Sequence, residues 1–112
     1  MLTENQTLDK LFQQVCLKKT SVLGGVATVV HHFIPKSHCL AVRYYIPNGI
    51  PLTYEQHLQI HSNKRKELEE QIIQILGISW RADLRKRQNM IIKDIDYEKV
   101  KNYLNGKISD YL

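Results

Sequence analysis

The chain has 112 residues, a formal net charge of +5 and a pI of about 9.3, and its 43% hydrophobic content suffices for one domain, residues 1–112, with a modest core. It contains no apolar run of transmembrane length and no signal peptide, which argues against membrane and secreted proteins, so we expect a cytoplasmic location. Cys16 and Cys39 are too few for a disulfide framework, and we expect two free thiols in a reducing compartment.

The first predicted element is an amphipathic helix. Thr7 is its expected N-cap, residues 1–6 are expected to fray, and the helix should end near Lys19. Apolar residues recur at helical spacing, namely Leu8, Leu11, Phe12 and Val15. A turn at residues 20–24 then leads into a predicted hairpin.

A strand and two adjacent histidines come next. Residues 25–30 are rich in β-branched side chains and predict a buried strand that ends at His31 and His32. Because adjacent residues of a strand project to opposite sides, one histidine can face a metal while its neighbour faces a water or a backbone carbonyl.

The loop of residues 34–46 separates this strand from a second one. Loops held by a scaffold often carry function, and Arg43 is a candidate to clamp a phosphate bidentately, the alternative being an ion pair with a surface acid. His38 is expected to be a surface histidine. The second strand, residues 50–52, must be short or lie at an edge, because Pro51 cannot donate to a ladder.

The helix that follows carries a second pair of histidines. Thr53 and Gln56 predict a capping box at its start. His57 and His61 are four residues apart, so both project from one face and can chelate one divalent cation. No glutamate follows His57, which excludes the HExxH metalloprotease pattern. Taken alone, this spacing is weak evidence for a metal site, and two solvated histidines on a helix would be the better interpretation.

The remaining chain predicts further helices. Ser62 and Asn63 are expected to cap a helix over residues 64–76 that stops at Gly77. Its apolar stripe comprises Leu68, Ile72, Ile73 and Leu76.

A helical stretch from residue 78 contains Trp80, an expected core anchor, and the state of residues 90–92 is ambiguous. Asp96 is the expected cap of a last helix before Gly106. One face of that helix holds Tyr97, Val100 and Leu104.

Taken together, His31-His32, then Asn48, then His57-x3-His61 resemble the HNH, or ββα-metal, nuclease superfamily. The spacings resemble those of colicin DNases, and the string from Arg43 to Leu52 resembles phage recombination nucleases of the NinG type. The resemblance covers residues 23–76. It implies an α+β fold with a ββα-metal core at residues 23–61, preceded by an N-terminal helix within residues 1–22 and followed by a helical part, residues 62–112.

The resemblance also implies roles. His31, His57 and His61 would bind one divalent metal ion, with magnesium, manganese, nickel and zinc all open. His32 would be the general base. Asn48 and Arg43 are the two further candidate site residues. Asn48 would brace the loop by backbone hydrogen bonds, and in some relatives the equivalent residue contacts the metal. Arg43 would bind phosphate.

The implied function is hydrolysis of DNA phosphodiester bonds by an endonuclease, phage or prophage encoded and acting in recombination or DNA processing. Its products should carry 5′-phosphate and 3′-hydroxyl ends. The expected partner is double-stranded or branched DNA, which suits the basic charge. Basic clusters at residues 18–19, 64–66 and 85–87 are candidate phosphate contacts, and homodimer formation stays open.

One departure from the family pattern concerns a zinc knuckle that many phage relatives carry. Residues 21–25 stand in place of one cysteine pair, and Thr53 and Gln56 in place of the other. We therefore expect hydrophobic packing to hold the hairpin on the helix.

Two other classes of function stay open. One is a DNA-binding module whose three histidines hold a structural metal, closed by His38 or Cys39 as a fourth ligand. The other is a recombination accessory adaptor in which the histidines are incidental. His32 argues against both, because neither function needs it.

Overall fold

Six helices and a two-stranded sheet form the α+β fold of the computed structural model, which describes residues 2–37 and 39–110. The strands are β1, Val29–His32, and β2, Gly49–Leu52. The helices are α1, Glu4–Cys16; α2, Leu40–Arg43; α3, Tyr54–Ile60; α4, Arg65–Leu76; α5, Ile78–Gln88; and α6, Tyr97–Asp110. A 3-10 turn, Ile46–Asn48, leads into β2. The predicted α+β class is confirmed, and no helix within the described ranges is long and apolar enough to cross a membrane.

Helix α1 begins earlier than predicted. Thr3 is its N-cap, since the Thr3 hydroxyl accepts from the Gln6 N–H at 3.1 Å while the Gln6 side chain accepts from the Thr3 N–H at 2.9 Å. The expectation that Thr7 caps the helix was therefore wrong, as was the expectation of fraying for residues 4–6, which are helical, whereas Met1 lies outside the described residues. The helix also ends at Cys16 rather than near Lys19. Its predicted apolar stripe is confirmed for the buried residues Leu8, Phe12 and Val15.

Strand β1 begins at Val29 rather than at residue 25, and it ends with His31 and His32 as predicted. The cause is the preceding turn, where Gly25 has a φ of +90°, a conformation that interrupts an extended strand. In the antiparallel pairing, Val29 lies opposite Leu52 and His32 lies opposite Gly49.

The two faces of the sheet pack against two separate apolar clusters. The cluster beneath α3, α4 and α5 comprises Phe33, Ile34, Val42, Ile50, Leu52, Ile60, Leu68, Ile72 and Leu84. The cluster beneath α1 and α6 comprises Leu8, Phe12, Val15, Cys16, Tyr44 and Leu104. Val29 packs against the first cluster and Val30 against the second. Because strand residues alternate, His31 and His32 are likewise directed to different clusters.

Side-chain hydrogen bonds join the start of the hairpin to α3. The Ser21 hydroxyl donates to Oε1 of Gln56 at 2.5 Å, and Nε2 of Gln56 donates to the Gly24 carbonyl at 2.9 Å. Gln56 also completes the predicted capping box with Thr53, which is confirmed. The expectation that hydrophobic packing alone holds the hairpin on the helix was therefore incomplete.

The start of α4 differs from the prediction, whereas its end agrees. The N-cap is Lys64, without a side-chain cap bond, so neither Ser62 nor Asn63 caps the helix. The Ser62 hydroxyl instead donates to the Gln59 carbonyl at 2.8 Å and finishes the preceding helix. Gly77, with a φ of +101°, ends α4 as predicted.

Helices α5 and α6 follow the predicted order. Trp80 packs against the first cluster, and its Nε1–H donates to the Pro47 carbonyl at 2.8 Å, which confirms it as a core anchor. Asp96 accepts from the Lys99 N–H at 3.1 Å and begins α6, as predicted. The helix continues through Gly106, where the prediction ended it, because a helical glycine costs only about 1 kcal/mol.

Candidate metal centre and its flank

His31 presents a buried nitrogen to α3. The side chain is only 4% exposed, and Nε2 has no hydrogen-bond partner among the described residues. Burial, with smaller contributions from His57 and His61, lowers the pKa of His31 to about 3. The ring is therefore neutral near pH 7, which is the protonation state that binds metal ions.

His57 and His61 complete a three-histidine cluster. The capping box starts α3 so that both rings turn towards β1, and their Nε2 atoms lie 2.9 Å apart. The ring centroid of His31 lies 5.4 Å from that of His57 and 5.7 Å from that of His61. Burial also lowers the pKa of His57. His61 is exposed, so the cluster opens to solvent.

The cluster fits a metal ion in both donor chemistry and position. One potential ligand atom from each of the three histidines lies within 4.8 Å of the others. Zinc–nitrogen bonds measure about 2.0–2.1 Å, so nitrogens that share one ion lie at most about 4.2 Å apart, and the rings would have to move closer together to bind it. Such an ion would also satisfy the unpartnered Nε2 of His31. The structure thus brings together His31, His57 and His61, the three predicted ligands.

His32 lies on the other face of the sheet, against α1. Its ring stacks on Phe12 with centroids 4.8 Å apart, and its Nε2 lies 3.1 Å from the Arg43 carbonyl oxygen. A carbonyl only accepts, so Nε2 carries the hydrogen and Nδ1 holds the lone pair of the neutral ring. Burial is the main cause that lowers the pKa of His32, which favours this neutral form.

Arg43 forms an ion pair with an acidic side chain, which is one of the two alternatives that the sequence left open, the other being a phosphate contact. Nη2 of Arg43 lies 3.3 Å from Oδ2 of Asp9, and Nζ of Lys36 lies 3.4 Å from the same oxygen. Asp9 was not among the candidate residues predicted from the sequence. The residue lies on α1, and nothing in the sequence connects it to a cation 34 positions away.

Asn48 is fully buried and makes bracing hydrogen bonds. Its Oδ1 accepts from the Ile34 N–H at 2.8 Å, and its Nδ2 donates to the carbonyls of Ile34 at 3.0 Å and Val42 at 3.3 Å. Through these bonds Asn48 ties the loop after β1 to α2. The hydrogen bonds of the Asn48 side chain thus go to backbone groups. The three-histidine cluster is built on other elements, β1 and α3.

Of the predicted fourth ligands, His38 lies outside the described residues. Cys39 donates its Sγ hydrogen to the Gln88 carbonyl at 3.5 Å, and within residues 2–37 and 39–110 the potential metal-binding group comprises only the three histidines. The basic cluster at residues 85–87 is partly turned inwards. Its Arg87 donates from Nε to the Ala41 carbonyl at 2.8 Å.

Comparison of the chain with protein-family models, with curated proteins and with solved structures finds no match in any of the three.

Proposed function

We propose that this protein is a divalent-metal-dependent DNA endonuclease of the HNH, or ββα-metal, type, with β1, β2 and α3 as the hairpin and helix of its core. The observation that carries the proposal is the convergence of His31 with His57 and His61, beside a neighbouring histidine with separate contacts. A metal site that only stabilises the fold has no use for His32, whereas hydrolysis needs a base.

The donor set favours particular ions. His31, His57 and His61 would hold the ion, and three imidazoles suit zinc or nickel better than magnesium, which prefers oxygen ligands. A bound divalent ion would stabilise negative charge on the phosphate and on the leaving oxygen. The exposed edge at His61 gives a DNA backbone access to the cluster.

His32 supplies the second component, a proton acceptor. Its Nε2–H is held by the Arg43 carbonyl, so the lone pair on Nδ1 can take a proton from an attacking water. Stacking on Phe12 limits rotation of the ring. His31 and His32 are consecutive at the end of β1, and the charge of His32 contributes to lowering the pKa of His31, so in this proposal the phosphodiester contacts both across the end of the strand.

The substrate in this proposal is double-stranded or branched DNA, bound through basic side chains. The net charge of +5 favours a polyanion, and Arg65 lies on the His31 side, where its charge contributes to lowering the pKa of that histidine. An origin in a phage or prophage, a role in recombination or DNA processing, and a homodimeric active form are parts of the proposal that rest on the family resemblance.

The test is a nicking assay on supercoiled plasmid and on branched DNA. Protein stripped with EDTA should be inactive, and adding magnesium, manganese, nickel or zinc separately should identify the ions that restore cleavage. His61→Ala should abolish the restored activity. Gln59→Ala, at an exposed position of the same helix, is the matched control and should keep it. Unchanged cleavage in excess EDTA would rule the proposal out.

The same assay separates the two other functions. Metal and DNA binding without cleavage would indicate a DNA-binding module with a structural metal. Absence of both DNA binding and cleavage would indicate the adaptor. The involvement of Cys39 with Gln88 weighs against the first, because that thiol then does not close the metal site.

A further inference from the structure

Two cations beside His32 converge on one carboxylate oxygen. Nη2 of Arg43 and Nζ of Lys36 both contact Oδ2 of Asp9, at 3.3 and 3.4 Å. We infer that Lys36 and Arg43 form a binding subsite for a phosphodiester group of the nucleic-acid backbone, and that Asp9 competes with the phosphate for it. This inference rests on the proposed function for its substrate class.

The ion pair between Arg43 and Asp9 is only half made. Nε of Arg43 and Oδ1 of Asp9 are both buried, and neither has a hydrogen-bond partner among the described residues. Guanidinium groups bind carboxylates and phosphates most strongly through two parallel hydrogen bonds, and here only one is formed. A phosphate with two free oxygens can engage both Nε and Nη2. In its present geometry Asp9 leaves Nε of Arg43 unused, so a phosphodiester that displaced Asp9 would gain a hydrogen bond that the carboxylate does not make.

The position of the subsite suits the proposed chemistry. The charges of Lys36, Asp9 and Arg43 all influence the pKa of His32, so a phosphate held by the two cations lies near the proposed base. Asp9 lies one helical turn from Phe12, on which the His32 ring stacks. The Lys36 side chain is 50% exposed and that of Asp9 is 20% exposed, so the cations can be approached from solvent.

Asp9→Asn tests the competition, because the amide keeps the shape of the side chain and removes its charge. Binding of a fluorescently labelled duplex is measured by anisotropy in EDTA, so no cleavage contributes, at several salt concentrations. We expect the variant to bind about threefold to tenfold tighter at low salt. The slope of log K against log salt should steepen by about 0.9 for each additional phosphate that the protein neutralises.

Matched variants separate local competition from a general increase in positive charge. Glu98→Gln makes the same charge change at an exposed position of α6 and should leave the slope unchanged. Adding Arg43→Ala to Asp9→Asn should cancel the tighter binding. Adding Lys36→Ala, at a half-exposed residue whose loss the fold should tolerate, should remove about 0.9 of the slope. Urea unfolding confirms that each variant is folded.

The outcomes are distinct from those of the cleavage assay. An Asp9→Asn slope equal to that of Glu98→Gln, or tighter binding that survives Arg43→Ala, overturns the subsite. Failure of both wild type and Asp9→Asn to bind the duplex overturns it too. Binding by the variant alone supports it. If the predicted slopes appear but no metal supports cleavage, the subsite stands and the endonuclease proposal fails.

Discussion

Replacing Asn48 by alanine removes three hydrogen bonds from a fully buried side chain. The Val42 carbonyl keeps a bond from the Tyr45 N–H at 3.2 Å, but both the N–H and the C=O of Ile34 lose the Asn48 partner. Each buried polar group left unpaired costs about 1–3 kcal/mol. We therefore expect Asn48→Ala to lower the free energy of unfolding by about 2–6 kcal/mol, a large part of the roughly 5–15 kcal/mol typical of a domain.

Asn48→Asp makes the argument sharper, because the amide both donates and accepts. An aspartate can still accept from the Ile34 N–H, but its other oxygen would face two carbonyl oxygens where Nδ2 now donates at 3.0 and 3.3 Å. We expect this variant to be at least as unstable as Asn48→Ala at pH 7. Protonation of the carboxyl at low pH would restore one donor and reduce the difference.

Urea unfolding followed by circular dichroism measures these differences. Asn102→Ala, at an exposed position of α6, is the control and should change the unfolding free energy by less than about 0.5 kcal/mol. Unfolding of Asn48→Ala at the wild-type urea concentration would refute the bracing role. If cleavage nevertheless disappeared in that stable variant, Asn48 would have to act on the substrate or the metal directly.

The other predictions concern both faces of the sheet. His31→Ala should lower metal affinity in calorimetry. His32→Ala should leave that affinity near wild type while cleavage falls about 10²- to 10⁴-fold, and the reverse pattern would exchange their roles. Gly49→Ala should lower the free energy of unfolding in urea by about 1–3 kcal/mol, because the new Cβ would lie 2.5 Å from the Cys16 Sγ. Adding Cys16→Ala should recover part of that free energy. Burial raises the pKa of Cys16 to about 12. At pH 8 a thiol reagent should therefore modify Cys39 alone in the native protein and both cysteines in urea. Rapid modification of both cysteines in the native protein would contradict this prediction.

Structure set by neighbouring residues was predictable. The Thr53–Gln56 capping box and the Asp96 cap each join groups three residues apart, so a short window contains the whole interaction. The start of α1 was missed although the same signal was present, since Thr3 and Gln6 have the spacing of a capping box. The N-terminal capping box could therefore have been predicted from the sequence.

Structure set by distant residues was not predictable from one sequence. Ser21 and Gln56 are 35 positions apart, and Asp9 and Arg43 are 34 apart. Each of these polar side chains has a plausible solvated state, and only the packing of α1 and the hairpin decides which partner it meets. Bringing the three histidines together needed a further condition, namely that β1 pairs with β2 in a register that places His31 over α3.

In the proposed enzyme, the end of β1 would serve two chemistries, because its two faces belong to different parts of the fold. The His31 side is built on α3, whose capping box orients His57 and His61. The His32 side is built on α1 and α2, through a ring stack and a backbone carbonyl. The three rings of the cluster and the ring of His32 therefore have no supporting helix in common. Changes on α1 can alter the environment of the base without moving a metal ligand, so in the proposed enzyme the proton acceptor and the metal site could be adjusted separately, with the strand backbone as their direct connection.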